Sequence, residues 1–97
     1  MKVKARICWL TPEDGGRETP PRGPSYSTVA KFNGASEDGT GNAWSLVVEF
    51  CGPTDNSYCT TAVVRFLSPQ GPSELLRSGI QFDLLEGRRK VATGTIL

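Results

Sequence analysis

Apolar and polar residues alternate with a period of two along most of this chain, and helical periodicity is nearly absent. In the first such run the apolar positions are Val3, Ala5, Ile7 and Trp9, and the positions between them are Lys2, Lys4, Arg6 and Cys8. Because successive side chains of a strand point to opposite faces, this run predicts a strand with one buried face and one basic, solvated face.

Four later runs, at residues 44–50, 62–66, 80–85 and 90–97, alternate in the same way or are rich in β-forming residues. Their predicted core positions are Trp44, Leu46, Val48 and Phe50, then Ala62, Val64 and Phe66, then Ile80, Phe82 and Leu84. Gly94 lies inside the last run, where a glycine indicates a bend or a close approach of another group to the backbone.

Turn-forming residues separate these runs. Residues 13–16 (Glu-Asp-Gly-Gly) predict a turn, residues 33–42 an exposed, mobile loop, residues 73–77 a single helical turn, and residues 86–89 a tight hairpin connection. About six strands at this spacing predict an all-β fold, either a sandwich or a small closed antiparallel β-barrel. We favour the barrel, because closure removes exposed strand edges. The 97 residues of the chain leave room for one domain, residues 1–97.

The composition excludes several classes of function. Eleven Lys and Arg against ten Asp and Glu give a net charge of +1, which is not that of a protein that coats nucleic acid. The chain has no histidine, so it lacks the commonest general base and the commonest metal ligand. No stretch approaches the roughly 18 apolar residues of a membrane helix. We therefore predict a protein that is not an enzyme, with no cofactor, no metal and no membrane partner.

The three cysteines leave alternatives open. An odd number of cysteines is typical of a set of reduced thiols, which predicts a cytoplasmic location. Alternatively, Cys51 and Cys59 flank a short polar stretch and could form a bridge at the base of a hairpin, with Cys8 unpaired. Three cysteines without histidine or a CxxC pair make a poor zinc site.

Basic residues supply the candidate binding site. Lys2, Lys4 and Arg6 form a row on the first strand, Arg17 and Arg22 lie in the following loop, and Arg88, Arg89 and Lys90 cluster at the last hairpin. If they converge they can contact several phosphates, whereas the simpler interpretation is a solvated barrel exterior. Tyr26, near a loop, is a candidate for base stacking or for a protein interface. Apolar residues that point outward would instead favour a homodimer; they are Val47, Val63, Leu67 and Leu85.

Two segments carry a resemblance to a known family. Residues 10–20 read LTPEDGGRETP, and residues 78–94 read SGIQFDLLEGRRKVATG. An acidic pair, Gly-Gly, a basic residue, one further residue and Thr-Pro follow the first strand of the C-terminal barrel domain (domain 3) of elongation factor Tu. In its closing hairpin a glycine precedes an apolar strand, Glu-Gly-x-Arg forms the turn and Val-x-x-Gly begins the last strand. The chain resembles this domain specifically at both ends and in length, and only vaguely over residues 33–72.

The resemblance implies a docking module. In the family this domain packs on a separate GTPase domain, contacts the T-stem backbone of aminoacyl-tRNA and meets the exchange factor. Arg17 matches a tRNA-contacting loop, but Glu18 stands where the family often has a basic or imidazole side chain. Residues 23–27 (GPSYS) replace a Gly-Tyr-Arg-Pro type stretch. A GxxxxGK[ST] phosphate loop is missing from the sequence, so no nucleotide is expected. We therefore expect a protein partner, with a translation-associated protein that binds RNA (tRNA) as the alternative.

Overall fold

The computed structural model describes residues 2–17, 19–21, 23–32 and 43–97, and these residues form six strands. The strands are β1 (Val3–Trp9), β2 (Ser25–Phe32), β3 (Ala43–Phe50), β4 (Cys59–Phe66), β5 (Gln81–Glu86) and β6 (Arg89–Ile96). They pair antiparallel in the order β1-β4-β3-β2-β5-β6, and β6 pairs back with β1. The predicted small closed antiparallel β-barrel is confirmed.

Alternation fills the barrel interior at most of the predicted positions, while Trp44, Phe50, Phe66 and Ile80 are only partly buried against the core. On β1 the buried side chains are Ala5, Ile7 and Trp9, and all the remaining residues of the strand are more exposed. The later strands contribute Leu46 and Val48, Ala62 and Val64, Phe82 and Leu84, and Val91, Ala92 and Ile96. The sequence did not locate β2, because its alternation is weak: serine and threonine occupy several positions, and only Ala30 and Phe32 are buried.

Gly94 makes a close approach inside the barrel. It lies opposite Phe82 across the β5–β6 pairing, and a Cβ atom added to Gly94 would sit 2.2 Å from Cζ of that ring. The Phe82 ring therefore occupies the space that any larger residue at position 94 would need. This confirms the prediction that the glycine in the last run marks a close backbone approach.

The antiparallel arrangement gathers the site-bearing loops at one end of the barrel. Strands β1, β3 and β5 end there and β2, β4 and β6 begin there, so the connections around residues 10–24, 51–58 and 87–88 are neighbours. We call this the Arg17 end.

The opposite end carries the connection from β4 to β5. This connection contains the 3₁₀ turn Ser73–Leu76, where a single helical turn was predicted, and it buries Leu75 and Leu76 against the core. The predicted loop at residues 33–42 lies outside the described residues.

Candidate functional site

Glu86 is the centre of a polar cluster at the Arg17 end. As the last residue of β5, it accepts a hydrogen bond through Oε2 from the Tyr26 hydroxyl and another from Nη1 of Arg17. Nη2 of Arg89 lies 3.5 Å from Oε1 of the same carboxylate. One acidic side chain therefore joins the loop after β1, the start of β2 and the closing hairpin.

Arg17 is held by more than its ion pair. Its Nε donates to the carbonyl oxygen of Thr19 over 3.2 Å, and its Cζ lies 5.7 Å from the centroid of the Tyr26 ring. The loop that carries Arg17 is packed closely against the end of β1, since a Cβ atom on Gly16 would lie 2.0 Å from the Leu10 carbonyl oxygen. Arg17 therefore projects from a fixed backbone.

The cluster shifts the proton affinities of its members. Burial acts to raise the pKa of Glu86, but hydrogen bonds from Tyr26 and Arg17 outweigh it, so the pKa is lowered. Burial, followed by the bond to Glu86, raises the pKa of Tyr26 to about 12. The hydrogen bond to Glu86 raises the pKa of Arg17. Glu86 is thus ionised and Tyr26 neutral at ordinary pH.

Three aromatic rings underlie this cluster. Trp9 meets Tyr26 edge to face at 5.6 Å between ring centroids, and it lies 6.2 Å from Phe50. Trp9 is 5% exposed, and its Nε1 has no hydrogen-bond partner among the described residues. The rings close the barrel interior beneath the polar cluster.

The described residues line two clefts at the Arg17 end, and Thr19 belongs to both. The larger, of about 670 Å³, is mostly apolar, and Pro20, Pro21, Phe50 and Pro53 line it. The smaller, of about 350 Å³, is polar and holds Arg17, Glu86 and Arg89. An apolar and a charged surface therefore lie side by side.

Most of the predicted basic surface is paired with acids. Five of the eight predicted cations have an acidic partner: Lys2 with Glu49 at 3.2 Å, Arg6 with Asp55 at 3.5 Å, Lys90 with Asp83 at 3.3 Å, and Arg17 and Arg89 with Glu86. Lys4 and Arg88 make no ion pair with a described residue, and Arg22 lies outside the described residues.

The candidate residues that the structure describes therefore do not form one continuous basic patch. The structure brings Arg17, Tyr26 and Arg89 together, while Lys2 and Lys4 lie toward the other end of β1. Tyr26, predicted to lie near a loop, is the second residue of β2 and is half-buried.

The cysteine prediction is wrong in its pairing. Cys8 and Cys59 form a disulfide across β1 and β4, at positions that face each other with 4.0 Å between Cα atoms. Cys51 has the free thiol and is exposed. The predicted Cys51–Cys59 bridge fails because β4 begins at Cys59, three residues before its predicted start, and its register places Cys59 opposite Cys8.

Asp55 orders the loop beside this disulfide. Its Oδ1 accepts the backbone N–H of Ser57 at 2.8 Å and of Cys59 at 3.0 Å, and its Oδ2 faces Arg6. The N–H of Cys59 is the main cause of a lowered pKa for Asp55, helped by Ser57 and Arg6. Tyr58 adopts a left-handed backbone conformation with φ 63°.

Sequence reasoning missed Glu86 and Asp55 as organising residues. The spacing of Glu86 and Arg89 across a predicted hairpin turn was a usable signal for one of the ion pairs. The contact of Glu86 with Arg17 spans 69 residues, and no local pattern indicates it.

The outward apolar residues differ in exposure. Val47 is 7% exposed, Val63 and Leu85 are half-buried, and Leu67 is 58% exposed. The predicted apolar face is therefore mostly covered within one copy of the chain, and Leu67 remains its exposed member.

Comparison with known proteins leaves the chain without an assigned family. A scan against family models finds no match, and a search of curated proteins finds no similar sequence. Within the described part of the chain, no helix has the length and apolar character needed to cross a membrane. In the same part, no three His, Cys, Asp or Glu side chains are grouped so that they could hold a metal ion.

Proposed function

We propose that this protein is a non-catalytic docking module whose Arg17 end binds a protein partner. The observation that carries the proposal is the pair of adjoining clefts, one apolar and one charged, that share Thr19. Protein interfaces combine an apolar centre with polar surroundings, and arginine and aromatic residues are enriched in them. The resemblance to domain 3 of elongation factor Tu, which docks on other domains, supports the same function.

The polar cluster favours a binding role over catalysis. Three donors already surround the Glu86 carboxylate, and its lowered pKa is unsuited to proton transfer near neutral pH. The chain has no histidine to activate a nucleophile. We therefore propose that the partner is bound without chemical change.

RNA binding is the alternative, and the contacts of the basic residues favour it less. A phosphate backbone needs several unpaired cations along its path, whereas Lys2, Arg6 and Lys90 are paired with acids. The Tyr26 ring is covered by Arg17 on one side and contacted by Trp9 on another, so it offers little surface for a base.

A cytoplasmic location stays a prediction. Disulfides are rare in cytosolic proteins, so the Cys8–Cys59 bond favours an oxidising compartment instead. Trapping the thiols with an alkylating reagent in intact cells, before lysis, decides between the two. Three alkylated cysteines agree with a reduced cytoplasm, and one with an oxidising compartment.

Affinity capture from cell extract, with and without nuclease, tests the docking function. The bait proteins are the wild type, Arg89→Glu at the Arg17 end and Arg77→Glu at the opposite end, where Arg77 is exposed. We expect a protein that survives nuclease, is lost with Arg89→Glu and is kept with Arg77→Glu. Recovery of RNA, with all proteins lost after nuclease, would establish the alternative. Equal capture by both variants would place the interface elsewhere, with Leu67 and homodimerisation as the next candidate.

A further inference from the structure

We infer that the Arg17 end recognises a protein segment that presents an apolar side chain next to a carboxylate. This inference rests on the proposed docking function and adds the chemistry of the partner. It follows from the charges in the smaller cleft, the lining of the larger one and the residue that they share.

Among the described residues that line the smaller cleft, positive charge is in excess. Arg17 and Arg89 bring two cations to it, and Glu86 brings one anion. Arg17 uses Nε and Nη1 for Thr19 and Glu86, and its Nη2 makes no hydrogen bond with a described residue. The Arg89 side chain is 57% exposed. An incoming carboxylate can therefore bind to both guanidinium groups, whereas an incoming cation would be repelled.

The larger cleft suits an apolar side chain. Rigid rings line it, from Pro20, Pro21, Phe50 and Pro53, and these lose little conformational freedom when a ligand covers them. Its volume of about 670 Å³ exceeds that of any single side chain, so part of the backbone of the segment fits as well.

Thr19 joins the two recognition elements. Because it lines both clefts, a single stretch of partner chain can fill the apolar cleft and reach the arginines. The Tyr26 ring is covered by Arg17 and contacted by Trp9, which disfavours a stacked base at this place, so RNA is an outcome of the test and not the expected ligand.

Selection from a phage-displayed library of random linear peptides tests the inference. We expect the wild type to enrich peptides with an apolar residue close to Asp or Glu. Arg89→Glu should shift the selection toward Lys and Arg, and Arg77→Glu should select as the wild type does. Arg89→Gln removes the positive charge without adding a negative charge that would repel Glu86. It should weaken the affinity for a selected peptide by about threefold to tenfold. Thermal unfolding checks that each variant is folded.

Cys51 gives a second readout from the apolar cleft. It lines that cleft and is exposed, while the other two cysteines are bonded to each other. Alkylation with a bulky maleimide should therefore modify Cys51 alone and block the selected peptide. Cys51→Ser should bind the peptide and be insensitive to the reagent.

The outcomes separate the inference from the proposed function. Enriched peptides without an acidic preference, or binding that survives the bulky label, would overturn the inference and leave a docking module with a different partner. Failure to enrich any peptide would also overturn it. If RNA is bound as well in that case, the docking function fails with it.

Discussion

The Tyr26 hydroxyl donates a hydrogen bond to the Glu86 carboxylate and so links the start of β2 to the end of β5. The backbone pairing of these two strands covers Val29–Phe32 and Phe82–Leu85 only. The side-chain bond therefore extends the contact between β2 and β5 to the very end of the barrel. It also fixes the acceptor that orients Arg17 and Arg89.

Tyr26→Phe should lower the free energy of unfolding by about 1–2 kcal/mol, since a hydrogen bond to an ionised carboxylate is lost while the ring contacts remain. Urea denaturation measures the change. Tyr58→Phe is the matched control, because the Tyr58 hydroxyl makes no hydrogen bond within the described residues. Equal effects of the two substitutions would mean that the bond to Glu86 contributes nothing.

Tyr26 should ionise only at high pH. In Tyr58→Phe the phenolate absorbance reports Tyr26 alone, and we expect its midpoint at about 12 in the folded protein. Because the folded pKa lies above the ordinary value of 10.0, the protein should lose stability as the pH rises from 10.0 toward 12. A midpoint at the ordinary value in folded protein would contradict the buried bond to Glu86.

Glu86 should make the fold sensitive to acid. Its folded pKa lies below the ordinary 4.5, so its stabilising effect is present above that value and is lost as the pH falls through the folded pKa. Glu86→Gln should be about 1 kcal/mol less stable than the wild type near neutral pH, and the difference should shrink in acid. Denaturation series at several pH values measure this. The stability of Glu86→Gln should still depend somewhat on acid, because the pKa of Asp55 is also lowered.

The Cys8–Cys59 bond should stabilise the fold strongly. It joins positions 51 residues apart, and cross-links over loops of this length typically contribute about 2–4 kcal/mol. Replacing both cysteines by alanine should lower the free energy of unfolding by that amount, and reduction of the wild type should have a similar effect. Cys51→Ser should change neither stability nor its response to reductant. A loss of stability in Cys51→Ser would point to a different pairing.

Gly94→Ala should destabilise the barrel, because the added Cβ collides with the Phe82 ring. Overpacking of this kind costs about 1–3 kcal/mol. Gly52→Ala is the control, since nothing lies within 4 Å of a Cβ at that position. Thermal unfolding of the two variants should show a lower midpoint for Gly94→Ala alone.

Local sequence patterns predicted the barrel, because in a strand with one buried face apolar and polar residues alternate, and this alternation is visible within a short segment. This explains the correct core positions on β1 and the correct hairpin between Glu86 and Arg89. They failed at β2, where polar residues such as Thr28 interrupt the pattern. They also failed to predict contacts that depend on barrel closure. Cys8 meets Cys59, and Arg17 meets Glu86, only after strands that are distant in the sequence have paired.

The disulfide also changes what a cut in the chain would do. Residues 8 and 59 are joined covalently, so cleavage of any one peptide bond between them would leave both fragments on a single molecule. The chain between Cys8 and Cys59 could therefore be cut once without either piece diffusing away. The chain beyond Cys59 has no such tie, and a single cut there would release the C-terminal fragment once the barrel opens.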